Sequence, residues 1–301
     1  MSEPRAYLID SSIYIFRAWF SVPENWHSPE GWPLNAVYGY TRFLLEFLES
    51  HTPEHCVAAF DESLGSCFRN DIYPQYKSSR ELPDDALAFQ LAACKTVTGR
   101  LGIACYAGPH YEADDYLASL ACRYRETGIP VSILTRDKDL GQIIQGPKDL
   151  WCDYASGVSL DHDAFTAKYG VRPGQFADYL ALVGDPIDDI PGVPGVGAKT
   201  ARRLLQAHAD IEALGIHLNT IGDLAFRGAA RIQTKLKEHW PQVLLAKRLT
   251  LLAETIPDLD KPAAFVLTQQ GLESTVAYLE ELGLAGPLTR RCQALARNLG
   301  T

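Results

Sequence analysis

Three short apolar runs in this chain each lead into aspartate. The runs at residues 6–9 and 57–60 stop at Asp10 and Asp61, and the run at residues 131–134 is followed by Asp137 and Asp139. Apolar runs of this length are typical of buried strands in a parallel sheet. Because the carboxyl ends of parallel strands share one edge of an open sheet, where ligand crevices form, we expect these carboxylates to lie close together.

Two more acidic clusters, at residues 112–115 and 185–189, are predicted to complete the same site. Ionised carboxylates gathered in one place repel one another unless cations lie between them. A site made only of oxygen ligands favours hard ions such as Mg²⁺ or Mn²⁺ over zinc. Each cluster alone also has a structural interpretation, as helix-capping or turn residues. Their joint arrangement favours an acidic pit that holds metal ions.

The composition is that of a globular protein. The chain has 301 residues, of which 47% are hydrophobic, and a formal net charge of −9. No run is long enough to span a membrane and no secretory signal is evident, so a cytoplasmic protein is expected. Its seven cysteines include no Cys-x-x-Cys pair, which argues against a zinc knuckle or a disulfide framework. The negative net charge does not exclude a nucleic-acid partner, because that interaction depends on how the charges are distributed over the surface.

Strand and helix patterns alternate over the first half of the chain. Helices are predicted at residues 35–50 and 84–100 and from about residue 111, with a further strand at 103–106 and an edge hairpin at 149–160. This pattern predicts an α/β fold, a mostly parallel sheet flanked by helices, over residues 1–165. Beyond Asp161, a predicted N-cap, strand patterns nearly vanish and proline-broken helices follow, so residues 166–301 are predicted to form an all-helical domain with a linker near residues 257–262.

A glycine-rich segment at residues 190–197 precedes a basic helix. Lys199, Arg202 and Arg203 have the i, i+3, i+4 spacing that places them on one face. Glycines permit a tight turn, and the exposed N–H groups at the start of the helix favour phosphate binding. The segment is therefore interpreted as a grip on a nucleic-acid backbone that reads no bases. The alternative is an ordinary helix–helix turn with a solvated basic face.

A second basic group combines cations with an aromatic ring. Arg69, Tyr76, Lys77 and Arg80 lie between the second apolar run and the predicted helix at 84–100. Proteins that bind single strands use such mixtures, with rings that stack on bases and cations that contact phosphates. A solvated loop is the alternative. Arg17, seven residues after Asp10, is predicted to face the same phosphate.

Together these motifs resemble the 5′-nuclease (flap endonuclease) family, in particular the 5′–3′ exonuclease domain of bacterial DNA polymerase I and its stand-alone relatives. The matching segments are residues 8–10 with Arg17, 59–61, 68–69, 76–80, 111–115, 134–140 and 184–200. The resemblance implies a PIN-like domain followed by a helix-three-turn-helix (SAM-like) domain. Since no polymerase segment follows, the stand-alone form is expected. The family usually has glycine after the first aspartate, where this chain has Ser11, a change that removes no ligand.

The resemblance also implies two Mg²⁺ or Mn²⁺ ions and a K⁺ ion. Asp10, Asp61, Glu112 and Asp114, with Asp115 close by, would serve mainly the first divalent ion. Asp137, Asp139, Asp185 and Asp188 would serve mainly the second. Backbone carbonyls would bind K⁺, and they come from Leu182, Val183, Pro191, Val193 and Val196. That ion would bridge to a DNA phosphate near the helix start, formed by Gly195, Val196, Gly197, Ala198, Lys199 and Thr200.

The implied activity is hydrolysis of a DNA phosphodiester near a 5′ end, flap or junction, in replication or repair. Lys77 and Arg80 would contact the scissile phosphate, Tyr76 would stack on the terminal base, and Arg17 would hold a neighbouring phosphate. Residues 78–101 align with the arch through which a single strand passes in this family. A monomer is expected, with replication or repair proteins as partners and a location at the nucleoid. A PIN-type ribonuclease and a non-catalytic junction-binding scaffold remain as alternatives.

Overall fold

The computed structural model of the chain describes residues 4–259 and 263–299. Six strands form one sheet: β1 (Ala6–Asp10), β2 (His55–Ala59), β3 (Ala104–Tyr106), β4 (Val131–Leu134), β5 (Leu150–Asp153) and β6 (Val158–Leu160). Their spatial order is β3-β2-β1-β4-β5-β6, and every pair is parallel except β5 with β6. The predicted α/β class, the mostly parallel sheet and the edge hairpin are confirmed.

Helices flank this sheet and form the second half of the chain. They are α1 (Ser11–Ser21), α2 (Asn35–His51), α3 (Phe68–Ile72), α4 (Asp85–Arg100), α5 (Ala113–Glu126), α6 (His162–Tyr169), α7 (Phe176–Val183), α8 (Ala198–Ala207), α9 (Ile211–Ile216), α10 (Ala229–Glu238), α11 (Trp240–Thr250), α12 (Gln269–Glu281) and α13 (Pro287–Leu299). Short 3₁₀ turns lie at Asp139–Ile143, Pro173–Gln175 and Ile221–Asp223. As predicted, Asp161 caps α6: its carboxylate accepts the Ala164 N–H at 2.9 Å.

Both faces of the sheet are buried, which explains why its strands are continuously apolar. Successive side chains of a strand point to opposite faces, so Leu8 packs toward α5 while Ile9 packs toward α1, α2 and α4. None of the described helices is long and apolar enough to cross a membrane.

The last two described helices return to the sheet. Buried side chains of α12 and α13, including Leu272, Leu279 and Cys292, belong to the same apolar cluster as α2 and α4. Helices α7 to α11 instead share a second cluster with Phe165, Trp151 and Tyr76. The domain boundary at residue 165 remains a prediction. Helices α12 and α13 follow this boundary in the sequence but pack against the α/β half. Part of the predicted linker, residues 260–262, lies outside the described residues.

Most of the segment expected to form the arch is helix α4. Its Gln90, Ala93, Cys94 and Val97 are buried against α2 and α12, so this helix is part of the core. Only the stretch at residues 78–84, with the exposed Leu82, forms an irregular connection beside the sheet edge. The expectation that residues 78–101 form an arch as a whole is therefore wrong for α4.

Candidate active site

Strand register brings the first aspartates to one edge. Asp10, the last residue of β1, pairs with Ala59 of β2, and the preceding Ile9 pairs with Leu134 of β4. Strands β2 and β3 lie on one side of β1, and β4 to β6 lie on the other. This reversal of strand order is the topological switch point, where open α/β sheets form their crevice.

A cavity of about 440 Å³ opens at this switch point. We call it the acidic pit; its wall comes from the ends of β1, β2 and β4, the start of α5 and the loop after α7. Seven carboxylates line it: Asp10, Asp61, Asp114, Asp137, Asp139, Asp185 and Asp188. The predicted convergence of acidic clusters that lie far apart in sequence is therefore present in the structure for these seven residues.

The turn after β4 fixes three of these groups. Thr135 is fully buried; its hydroxyl donates to Asp10 Oδ2 at 2.8 Å and accepts the Asp137 N–H at 2.9 Å. The Asp137 carboxylate in turn accepts the Asp139 N–H at 2.8 Å, and its backbone carbonyl accepts the Trp151 indole N–H at 2.6 Å. These bonds hold Asp137 and Asp139 toward the pit.

The pit carries more negative than positive charge, with seven carboxylates against four basic side chains in its lining. Burial raises the pKa of Asp10 to about 7, against the opposing hydrogen bond from Thr135. Burial and the charge of Asp137 raise the pKa of Asp139 to about 7 as well. For Asp114, burial and then the charge of Asp137 raise the pKa well above its usual value. Crowded, desolvated carboxylates of this kind retain protons unless cations are bound between them.

The donor set fits hard divalent ions. The seven carboxylates offer only oxygen, which suits Mg²⁺ and Mn²⁺. Within residues 4–259 and 263–299, no three Asp, Glu, His or Cys side chains converge closely enough to hold an ion unaided. Bound water would therefore complete the coordination, which is the usual arrangement for Mg²⁺ in proteins.

Asp115 and Arg69 form a buried ion pair beside the pit. Arg69 is 1% exposed and Asp115 is fully buried. The guanidinium donates to both Asp115 oxygens, at 2.7 and 2.8 Å, and to the backbone carbonyl of Leu249 at 2.7 Å. Asp115 also accepts the Glu112 N–H at 3.1 Å, so the capping interpretation holds for this residue. This bidentate pair is enclosed in protein in the structure. The metal-ligand role of Asp115 and the DNA contact of Arg69 stay predictions.

Glu112 lies just behind the pit. Its carboxylate accepts hydrogen bonds from Arg69 at 2.9 Å, from the Tyr76 hydroxyl at 2.9 Å and from Lys77. Burial alone would raise its pKa, but the charges of Lys77 and Arg69 outweigh burial and lower it. Glu112 is thus ionised and fully partnered, and it would reach a metal ion only by exchanging one of these partners.

Tyr76 is buried as well. Its side chain is 4% exposed, and its ring lies within an apolar cluster while the hydroxyl donates to Glu112. In this structure Tyr76 positions Glu112, and base stacking by its ring stays a prediction.

Lys77 and Arg80 do line the pit, where both pair with Asp188. Arg80 Nη2 lies 2.6 Å from Asp188 Oδ1, and Lys77 Nζ lies 3.7 Å from Oδ2. Lys77 has the left-handed φ of 54°, and its N–H donates to the Asp188 carbonyl at 3.1 Å. A further hydrogen bond connects the same two segments, because the Asp189 carboxylate accepts the Ser79 N–H at 2.8 Å. The loop after α7 thus fixes both cations beside the carboxylates.

Arg17 lies outside the pit. Ser12, Ile13 and Phe16 are the residues of α1 that line it, whereas Arg17 lines a separate depression of about 280 Å³ together with Arg42. The expectation that Arg17 faces the same phosphate as the pit is therefore not met by this arrangement.

The glycine-rich segment crosses the end of α7 at very short range. A Cβ on Gly184 would lie 2.4 Å from the Gly192 nitrogen, and a Cβ on Gly192 would lie 2.1 Å from the Val183 carbonyl oxygen. Only glycine permits this approach. Of the five carbonyls predicted for K⁺, those of Leu182 and Val193 already accept backbone N–H bonds, both at 2.9 Å. The K⁺ site stays a prediction.

Helix α8 presents a basic surface at its start. Gly197 precedes its first residue and supplies no side-chain cap, and Lys199 and Arg203 are exposed. The core-facing residues Ala201, Leu204 and Leu205 are buried, as predicted. Gly195, Gly197 and Ala198 are exposed, Thr200 is half-buried, and Val196 is buried and offers only its backbone.

Arg202 differs from its two basic neighbours on α8. It is half-buried; its stem packs against Gly170, and its Nε is buried without a hydrogen-bond partner. Arg202 is therefore less exposed than Lys199 and Arg203, and its contact with DNA stays a prediction.

Seven pit-lining residues were not predicted to be functional from the sequence. They are Ser12, Ile13, Phe16, Arg136, Lys138, Tyr169 and Ile187. Arg136 and Lys138 alternate with the aspartates of the turn after β4, a pattern that was visible in the sequence. Tyr169 reaches the pit only because α6 ends there, and sequence gave no signal for this.

Residues 5–170 match the family described as 5′-3′ exonuclease, N-terminal resolvase-like domain, and residues 171–271 match 5′-3′ exonuclease, C-terminal SAM fold. The chain belongs to the 5′-3′ exonuclease family.

Two relatives and one solved structure illustrate the similarity. A 5′-3′ exonuclease of Streptomyces coelicolor is 33% identical over 300 residues, which are 94% of this chain and 97% of that protein. DNA polymerase I of Mycobacterium bovis is 34% identical over 267 residues, 87% of this chain, and the match covers only 28% of the polymerase. The fold is that of T5 5′-exonuclease solved with divalent metal ions (zinc), with a TM-score of 0.67, 14% identity, and coverage of 97% of this chain and 99% of that one.

Proposed function

We propose that this protein is a Mg²⁺-dependent 5′–3′ exonuclease and flap endonuclease that hydrolyses DNA. The observation that carries the proposal is the acidic pit: seven carboxylates from five chain segments line one cavity, and Lys77 and Arg80 lie at its wall. Family membership supports the reaction class, and the divalent ions bound to T5 5′-exonuclease support the metal dependence.

Two divalent ions held by the pit would activate water and stabilise the charge on the departing 3′ oxygen. Asp10, Asp61 and Asp114 would hold mainly the first ion, and Asp137, Asp139, Asp185 and Asp188 mainly the second. Lys77 and Arg80 would leave Asp188 for the scissile phosphate and add positive charge there. Thr135 would keep Asp10 and Asp137 in place.

The basic start of α8 would hold the duplex part of the substrate. Exposed N–H groups and Lys199 suit phosphate oxygens and read no bases, so DNA of any sequence should bind with a steep dependence on salt. A K⁺ ion at the carbonyls of the glycine-rich turn would strengthen this grip. We further propose that the protein acts as a monomer at the nucleoid in the cytoplasm, during replication or repair.

The test is digestion of a 5′-labelled DNA flap with and without Mg²⁺. We expect Mg²⁺-dependent cleavage by the wild type, and loss of cleavage but not of flap binding in Asp137→Asn and Asp185→Asn. Cleavage at the wild-type rate by either variant would refute the assignment of the second ion. Preference for a matched RNA flap would favour a ribonuclease, and binding without any cleavage would favour a scaffold.

A further inference from the structure

The ammonium group of Lys138 bridges two carboxylates that come from different parts of the chain. Its Nζ lies 3.0 Å from Asp139 Oδ1 and 3.7 Å from Asp185 Oδ2. Asp139 follows β4, whereas Asp185 lies in the loop after α7. Both are assigned above to the second divalent ion, so a lysine of the chain contacts the oxygens that this ion would need.

A lysine ammonium and a divalent ion compete for these two carboxylates. The Asp139 oxygen accepts an N–H from Lys138, and an ion at the same oxygen would repel the ammonium group a few ångströms away. The single positive charge of lysine offsets the two carboxylates only in part. The bridge therefore lowers the affinity of the second site for an ion without occupying it permanently.

The Lys138 side chain can move away from the two carboxylates. Its side chain is 42% exposed, whereas those of Asp139 and Asp185 are 19% and 9% exposed. A lysine stem is flexible and its ammonium is strongly hydrated, so a rotamer change moves the charge into the open pit. The group would then face the space where a substrate phosphate lies, since Lys77 and Arg80 line the same cavity.

We propose that Lys138 is an internal counter-ion that keeps the second site weak until a substrate phosphate draws the ammonium away. This inference rests on the proposed function and adds a phosphate-contacting residue to it. The second ion displaces the ammonium group, and the phosphate attracts it. Each ligand therefore increases the affinity of the protein for the other, and this coupling is reciprocal. The ligand class is a phosphodiester or phosphomonoester anion.

The first test measures Mn²⁺ binding by calorimetry without DNA, so it needs no catalysis. Lys138→Met and Lys138→Gln remove the charge and keep most of the stem. Arg136→Met is the matched control, because Arg136 lines the same pit but pairs with Asp153, outside the proposed ligand set. We expect the weaker Mn²⁺ site to tighten about five- to tenfold in both Lys138 variants, the scale of one partly exposed ion pair, and about twofold or less in the control.

The second test repeats the titration with deoxyadenosine monophosphate, which has a phosphate but no phosphodiester bond to cut. Saturating nucleotide should tighten the weaker Mn²⁺ site of the wild type about fivefold more than that of Lys138→Met. Equal effects of Lys138→Met and Arg136→Met on Mn²⁺ affinity, in a wild type that binds two ions and cuts flaps, would overturn this inference alone. A wild type that binds no Mn²⁺ would overturn both this inference and the proposed function.

Discussion

The hydroxyl of Thr135 donates a 2.8 Å hydrogen bond to Oδ2 of Asp10, and the two residues lie at the ends of neighbouring parallel strands. The same hydroxyl accepts the Asp137 N–H at 2.9 Å. One buried side chain therefore orients a carboxylate assigned to each of the two metal ions. Because the bond from Thr135 opposes the rise in the pKa of Asp10, it also helps this carboxylate to ionise.

Replacing Thr135 with valine should weaken metal binding. The substitution keeps the shape of the side chain but removes the hydrogen bond to a carboxylate, so we expect about a tenfold loss of Mn²⁺ affinity at the Asp10 site. Calorimetry and the metal dependence of flap cleavage would measure this. Thr135→Ser keeps the hydroxyl and is the control. Equal losses in the valine and serine variants would contradict this prediction, because the hydroxyl that serine keeps would then not preserve metal binding.

The stability of the metal-free protein should fall as the pH rises through the pit pKa values. Asp10 and Asp139 have a pKa of about 7 in the fold, above the value near 4 of an unfolded chain. Stability from such a group is fully present below about pH 4 and is lost as the pH rises through about 7. Divalent ions remove this loss because they bind the ionised form.

Thermal unfolding with EDTA and with Mn²⁺ would measure this effect. We expect Mn²⁺ to raise Tm much more at pH 8 than at pH 5. Asp10→Asn, which cannot ionise, should show a weaker fall in Tm with pH under EDTA. A Mn²⁺ stabilisation of the same size at pH 5 and pH 8 would contradict the raised pKa values.

The carboxylate edge could be predicted because it depends on local patterns. A strand followed by aspartate places that side chain at the carboxyl end of the strand, and parallel pairing then gathers such ends, as it does for Asp10, Asp61 and Asp137. The helical spacing of apolar residues in α8 likewise predicts that Ala201, Leu204 and Leu205 are buried, as they are in the structure.

The burial of Arg69 and Tyr76 could not be predicted from the sequence. Arg69 donates to carbonyls of Leu249 and Leu251, 180 and 182 residues away, and no local pattern reveals such partners. The positive φ of Lys77 turns the chain so that Tyr76 enters the core while Lys77 reaches the pit. Nothing in the residue types specified this turn.

Arg17 was misplaced for a geometric reason. A spacing of seven residues returns to the same side of a helix, but Asp10 precedes α1 and its direction is set by the strand. Phe16 is one of the three residues of α1 that line the pit, and Arg17 lies about 100° further round the helix.

Arg69→Met should destabilise the fold and leave DNA affinity intact. The variant leaves the buried Asp115 carboxylate without its charged partner. This should lower the free energy of unfolding by about 3–5 kcal/mol, or Tm by roughly 10 °C. Chemical denaturation and flap binding at low temperature would separate the two effects. The double variant Arg69→Met with Asp115→Asn should recover part of the stability, since it removes the unpaired charge. A folded Arg69→Met protein with weakened flap binding would restore the original interpretation of Arg69 as a DNA contact.

Lys199→Ala should weaken duplex binding equally for all sequences, because Lys199 is exposed at the start of α8 and no base-reading element accompanies it. One phosphate contact fewer should reduce the slope of log affinity against log salt by about 0.9. Arg202→Met is the informative comparison, since Arg202 packs against Gly170 and should change stability more than the salt slope. Fluorescence anisotropy over a salt series with two unrelated duplexes would measure both variants. A loss confined to one duplex would mean that α8 reads sequence, and an equal slope change in both variants would mean that Arg202 turns outward to DNA.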